Sequence, residues 1–222
     1  MKVFVIISVV ILTFTVILYL FNPLSFTRFF GNINPLIITP IFIVLGFLIL
    51  RFFVLKGGFK IYSRENLRRM LIFLPIAILL ASIAILVDIG FKYSADINVL
   101  FPESLLFYPI MALIAETLFH LIPLSLLLLL FNKGFKNFNL DKNKWISIAI
   151  ISLIEPIFQT FSIPGHFPLW TSAYMTFHLY LFNLTQLYFF KRFDFFSMYS
   201  FRIVYYLLWH IIWGYVRLGV LF

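Results

Sequence analysis

Glu116 and His120 lie four residues apart in the apolar stretch YPIMALIAETLFHLIPLSLLLLL. On a helix they share one face, about one turn from each other. A carboxylate and an imidazole at that spacing can share a proton, hold a metal or position a water for attack. The competing reading is a plain hydrogen bond between helices. Glu155 and Gln159 repeat the spacing in WISIAIISLIEPIFQTF, where Pro156 frees a backbone carbonyl on the preceding turn. A proline kink satisfied by polar neighbours would account for that pair too. His178 shares a face with Tyr174 in a third apolar stretch, and His210 sits in YYLLWHIIWGYV one turn before Gly214. Either histidine could serve only to hydrogen-bond one helix to another. A titratable group at bilayer depth is costly unless it faces a partner or a wet cavity. Glu116, His120, Glu155, His178 and His210, at similar depth in four apolar stretches, therefore predict one shared polar site inside a helix bundle. Asp88, near Lys92 at the end of another apolar stretch, reads as a helix-end residue reaching the headgroups. His166, in IPGHFPLW, reads as interfacial beside the belt residue Trp170.

The composition says what must position these groups. Of 222 residues, 63% are hydrophobic and 11% charged. A soluble domain is nearer half apolar and a quarter charged, so too little polar surface exists here to cover a soluble globule. The expected fold is all-α: a polytopic transmembrane helix bundle forming a single integral membrane domain over residues 1–222, in a prokaryotic cytoplasmic membrane. The 31 phenylalanines suit lipid-facing helices. The absence of cysteine excludes a disulfide framework, a thiolate metal site and a cysteine nucleophile. The net charge of +9 could suggest nucleic acid, but the cations lie mostly between apolar runs. Membrane topology explains them, and no nucleic-acid partner is expected.

Crossing the hydrocarbon takes about 20 residues of helix. Seven runs qualify: 3–21, 36–55, 70–90, 105–131, 145–162, 168–190 and 199–220. The fourth is long enough to tilt or to break near Pro123, and the fifth is short and carries Pro156. The first is too long, and lacks the small-residue cleavage pattern, for a signal peptide, so it is expected to be retained. Lys56, Lys60, Arg64, Arg68 and Arg69 follow the second run; Lys133, Lys136, Lys142 and Lys144 follow the fourth; Lys191 and Arg192 lie between the sixth and seventh, with Arg202 at the start of the seventh. The alternate loops hold Arg28, then Lys92, then none. The positive-inside rule places the amino terminus in the cytoplasm and the carboxy terminus outside.

Over roughly residues 100–220 the order and spacing of these helices resemble the CPBP family of CAAX-protease and bacteriocin-processing intramembrane endopeptidases. In that family a first helix carries Glu-Glu-x-x-x-Arg, a second Phe-x-x-x-His, and a last His-x-x-x-Asn after a basic turn. Here Ala115-Glu116-x-x-x-His120 resembles the first signature. Glu155-x-x-x-Gln159 falls at the second, and His210 matches the last with Gly214 in place of Asn. Glu116 matches the second Glu of the family pair, Ala115 replaces the first, and Gln159 replaces the second-motif His.

The resemblance implies peptide hydrolysis by Glu/His-activated water, with Glu116 or Glu155 as the base, His120 or His178 as its partner and His210 donating to the oxyanion. Gln159 and Tyr174 would line the substrate, a peptide or membrane protein reaching the bundle from the cytoplasm or the bilayer. In a metal-dependent variant, zinc or another divalent ion would be held among Glu116, His120, Glu155, His178 and His210. The substitutions at 115 and 159 favour instead an inactive member that binds a partner protein. A small transporter or proton relay is a third reading, since Glu and His chains also serve proton movement.

Overall fold

The computed structural model describes residues 1–134, 140–162 and 168–222; His166 and Lys136 lie outside them. The described residues are helical, with short connections and no strand. In order they form α1 (Lys2–Phe21), α2 (Leu24–Phe30), α3 (Pro35–Phe52), α4 (Arg64–Phe91), α5 (Ser104–Ala115), α6 (Ile122–Gly134), α7 (Leu140–Ile151), α8 (Ile154–Ser162), α9 (Leu169–Arg192), α10 (Phe195–Tyr206) and α11 (Trp213–Leu221). Wider π-helical turns follow α3 at Phe53–Gly57, join α5 to α6 at Glu116–Leu121, and join α10 to α11 at Leu207–Ile212.

Among the described residues, five helices are long and apolar enough to cross a membrane: Lys2–Phe21, Pro35–Lys56, Phe73–Phe91, Ser104–Phe131 and Phe195–Leu221. The chain is an integral membrane protein by that measure. The expected fifth run instead divides at Ser152–Leu153 into α7 and α8, just before Pro156. Pro156 has no N–H for the preceding turn and its ring crowds the backbone there. The sixth run is one helix of 24 residues, α9, in which buried His178, Asn183 and Gln186 dilute the apolar character. The third and seventh runs start earlier than expected, at Arg64 and Phe195, and α2 forms in what read as a loop.

The fourth run does not break at Pro123. It remains a continuous span, more than half buried, that widens at Glu116–Leu121. Within that turn the Ile122 N–H donates to the Thr117 carbonyl, five residues back. A proline at 123 would press on the carbonyl of Phe119 in a regular α-turn, and widening the preceding turn relieves the clash. α3 packs tightly against the widened turn. A Cβ at Gly46 would meet Thr117 Oγ1 at 3.1 Å and the Phe4 ring at 3.3 Å.

Two apolar clusters flank α10. One joins α1, α3, α5 and α6 to Phe195, Met198 and Tyr199 of α10. The other joins α4 and α9 to Phe201, Tyr205, Trp209 and Trp213. α10 and its continuation thus run between both halves of the core.

The basic loops meet at one end. Phe195 and Phe196 N–H groups donate to the Lys60 and Ile61 carbonyls, each at 3.0 Å. Asp194 caps α10 through Ser197 N at 2.8 Å and Ser197 Oγ at 2.7 Å. Its second oxygen accepts from Ser63 N at 2.9 Å and Asn66 Nδ2 at 2.8 Å. Lys144 lies over the Phe59 ring, Lys191 lies over the Trp145 ring, and Met1, Lys2 and Lys60 border a common cleft.

The other end is held by a buried ion pair. Asp88 is fully buried. It receives Arg217 Nε at 2.7 Å, Arg217 Nη2 at 2.8 Å, Trp213 Nε1 at 2.6 Å and Tyr93 N at 3.0 Å. The headgroup reading of Asp88 is therefore corrected: a carboxylate with a bidentate guanidinium partner satisfies its charge inside the protein.

Asp194 ties two loops as well as capping a helix, so Asp194→Ala should destabilise the protein by more than a lone cap, which contributes about 0.5–2 kcal/mol. Asp141, mostly exposed against Lys191, is the control: thermal unfolding in detergent should show a clear fall for Asp194→Ala and none for Asp141→Ala.

Candidate functional site

Arg202 of α10 is fully buried at the centre of the bundle. Its guanidinium has five N–H donors in a fixed fork, and all five are used. Nε donates to Glu116 Oε1 at 2.7 Å. Nη1 donates to Glu155 Oε1 and to the Tyr206 hydroxyl, both at 2.9 Å. Nη2 donates to Glu155 Oε2 at 2.8 Å and to Gln186 Oε1 at 2.9 Å. The Gln186 amide nitrogen donates in turn to Glu116. One side chain thereby joins the π-turn after α5 to α8, α9 and α10.

His120 completes the group. Its Nδ1 lies 2.5 Å from Glu116 Oε2. A carboxylate only accepts, so Nδ1 carries the proton. Nε2 is buried without a hydrogen-bond partner and lies 3.9 Å from Glu155 Oε2. Glu155 also receives Gln159 Nε2 at 3.1 Å. Two carboxylates and one guanidinium leave one negative charge; a doubly protonated His120 would bring the sum to zero, and a neutral one would leave a lone pair facing Glu155. Among the His120 nitrogens and the Glu116 and Glu155 oxygens, Nε2 is the one atom without a hydrogen-bond partner.

The expectation of five converging groups is corrected. Glu116, His120 and Glu155 converge. His178 does not join them: Nδ1 is 3.3 Å from the Tyr174 hydroxyl and Nε2 is 3.0 Å from that of Tyr205, so both ring nitrogens have partners. Tyr174 is thus a partner of His178. His210 stands two turns along from Arg202, beyond Tyr206. Its Nδ1 is 2.6 Å from Asn98 Oδ1. Its ring stacks on Tyr108, with centroids 4.5 Å apart and planes at 18°, and meets Tyr206 edge-on at 4.8 Å.

The donor set does not fit zinc or another divalent ion. Every oxygen of Glu116 and Glu155 is engaged by an N–H donor, and the guanidinium occupies the position between them that a cation would need. Among the described residues no three His, Cys, Asp or Glu side chains are placed to hold a metal.

Arg202, Gln186 and Asn98 are the site residues that the sequence reading missed. By sequence Arg202 counts among the basic residues that fix topology, at the start of the seventh run; burial at 0% exposure overturns that. Its signal was the spacing Arg202, Tyr206, His210, one polar face of the last span. Asn183 and Gln186 gave a fainter sign, two buried amides three residues apart on α9. Asn98, in the connection between α4 and α5, gave none. Two of the three π-turns carry Glu116 with His120 and His210, and such turns occur frequently at functional sites.

Removing one partner of a buried ion pair leaves the others uncompensated, at about 3–5 kcal/mol. Arg202→Met should lower stability by that order in denaturant titration of the solubilised protein. Arg202→Lys should recover little, because one ammonium cannot reproduce the five-donor fork. Stability equal to wild type in Arg202→Lys would contradict this geometry. No family model, curated protein or solved structure matches the chain.

Proposed function

We propose that the chain is a membrane-embedded hydrolase, an intramembrane endopeptidase of the CAAX-protease and bacteriocin-processing type, with His120 as the base. The observation that carries the reading is the buried His120 ring, oriented through Nδ1 by Glu116 and leaving Nε2 unpartnered opposite Glu155. A water hydrogen-bonded to Nε2 loses a proton to it as its oxygen bonds to the scissile carbonyl carbon. The same proton passes to the leaving nitrogen as the C–N bond breaks, giving an acid and an amine. Glu155 would be the second acceptor for that water. Arg202 holds both carboxylates in place and touches no reacting atom. The substrate class, a peptide or membrane-protein segment, rests on the resemblance of Glu116 and His210 to the family signatures.

A second reading has its own observation. All four carboxylate oxygens already accept hydrogen bonds, and Ala115 stands where the family has its water-activating Glu. That arrangement suits a catalytically inactive member that binds a partner membrane protein. The two readings separate on protein termini. In cells making the chain, the hydrolase reading expects new protein termini that disappear with His120→Ala and Glu116→Gln. The same termini in His120→Ala cells, or none that depend on the wild-type chain, would overturn it.

The same proposal includes seven crossings with the amino terminus in the cytoplasm. The gathering of Met1, Lys2, Lys60, Lys144 and Lys191 at one end supports it. Since the chain has no cysteine, single substitutions report sidedness directly. Lys60→Cys should react with an impermeant maleimide only from the cytoplasmic side, and Lys92→Cys only from the other. Reaction of both from one side would refute the topology.

A further inference from the structure

His210 is expected, from the family resemblance, to donate a proton to an oxyanion. Its surroundings argue for the opposite polarity. The Val99 N–H donates to the Tyr108 hydroxyl oxygen at 3.0 Å, and that hydroxyl then donates its own proton to Asn98 Oδ1 at 3.2 Å. The atom facing Tyr108 is thus the carbonyl end of the Asn98 amide, which has no proton to give. His210 Nδ1 approaches this same oxygen at 2.6 Å. The proton in that contact must belong to Nδ1. In a neutral imidazole Nε2 is then the lone-pair nitrogen, since the bond made by one ring nitrogen sets the state of the other.

The amide can stand there because residue 214 is glycine. A Cβ at Gly214 would lie 3.0 Å from Asn98 Nδ2, 3.3 Å from its Cβ and 3.4 Å from its Cγ. Asn98 occupies the space of the missing side chain. It is 5% exposed, and its Nδ2 has no hydrogen-bond partner. The Tyr108 stack fixes the plane of the His210 ring, so a rotation that would exchange the two nitrogens is opposed by packing as well as by the hydrogen bond.

We propose that Asn98, seated on Gly214, is the positioning residue of His210 and holds it as the Nδ1–H tautomer, so that Nε2 receives a hydrogen-bond donor, a peptide N–H or a hydroxyl, rather than giving a proton to an oxyanion. The identity of the bound donor rests on the hydrolase reading. The tautomer does not, and it can be read without turnover.

The experiment is nitrogen NMR of the full chain labelled at histidine, in detergent micelles and mildly alkaline buffer. Only four histidines contribute, and His210→Gln assigns the signal. Wild type should show a pyrrole-like Nδ1 and a pyridine-like Nε2 at His210. Asn98→Ala should lose that fixed pattern for an averaged one. Gly214→Ala, which pushes the amide away without deleting it, should do the same and covers the case of an unfolded Asn98→Ala. A pyridine-like Nδ1 in wild type, or an unchanged pattern in both variants, would overturn the proposal. If the tautomer is as expected and no cleavage is found, the hydrolase reading fails while the role of Asn98 stands.

Discussion

A guanidinium in the middle of a hydrocarbon-embedded bundle has no water to solvate it, so each of its five N–H groups needs a protein acceptor. Arg202 finds them in Glu116, Glu155, Gln186 and Tyr206. These acceptors come from four separate helical segments, and the fixed fork dictates where each must stand. The wide turn at Glu116–Leu121 and the division between α7 and α8 bring Glu116 and Glu155 to opposite sides of the fork. Two apolar clusters close around the axis. Hydrophobic packing alone would leave several helix rotations close in energy in lipid, since there is little drive to bury apolar surface from apolar solvent. The charged joint selects one of them.

Two further buried carboxylates act at the ends of the same axis. Asp194 stitches the start of α10 to the loop before α4, and Asp88 takes Arg217 at the far end. α10, its π-turn and α11 are therefore anchored at bottom and top to α4 and the loop before it, and in the middle to the π-turn after α5, to α8 and to α9. Between the middle and the top lies His210, held by Tyr108, Tyr206 and Asn98. The polar interior is thus divided into separate stations, each internally satisfied apart from a few atoms. Two of those atoms, His120 Nε2 and Asn98 Nδ2, belong to the proposed base and to the residue that positions His210. Unpaired buried nitrogens are uncommon enough that each calls for a physical reason.

Much of this was legible in the sequence. The apolar runs gave the helices, the pair Glu116–His120 gave the face they share, and the cost of Glu155 in lipid correctly marked it as paired. What failed was the assumption that equal depth means contact. Depth follows from position along a run, while contact also needs helix rotation, which depends on residues elsewhere. Hence His178 joins two tyrosines, and His210 joins an asparagine from a loop. Arg202 and Asp88 were misread for one reason: each lies near the end of an apolar run, where charge counting expects the headgroup region. Arg202 lies inside the helix because Asp194, two residues beyond the end of α9 at Arg192, caps α10, so the span begins at Phe195, earlier than hydropathy indicates. π-turns leave almost no compositional trace; only Pro123 hinted at one of them.

Arg202 and Glu155 form one buried, two-pronged contact on which the arrangement of α8 and α10 depends. A double-mutant cycle with Arg202→Met and Glu155→Gln, read as unfolding free energy in lipid or detergent, isolates that contact. The expected coupling energy is about 2 kcal/mol or more, the range of close buried charge pairs. A coupling below about 0.5 kcal/mol, as for exposed pairs, would place Arg202 at the membrane surface and contradict a buried Arg202–Glu155 joint.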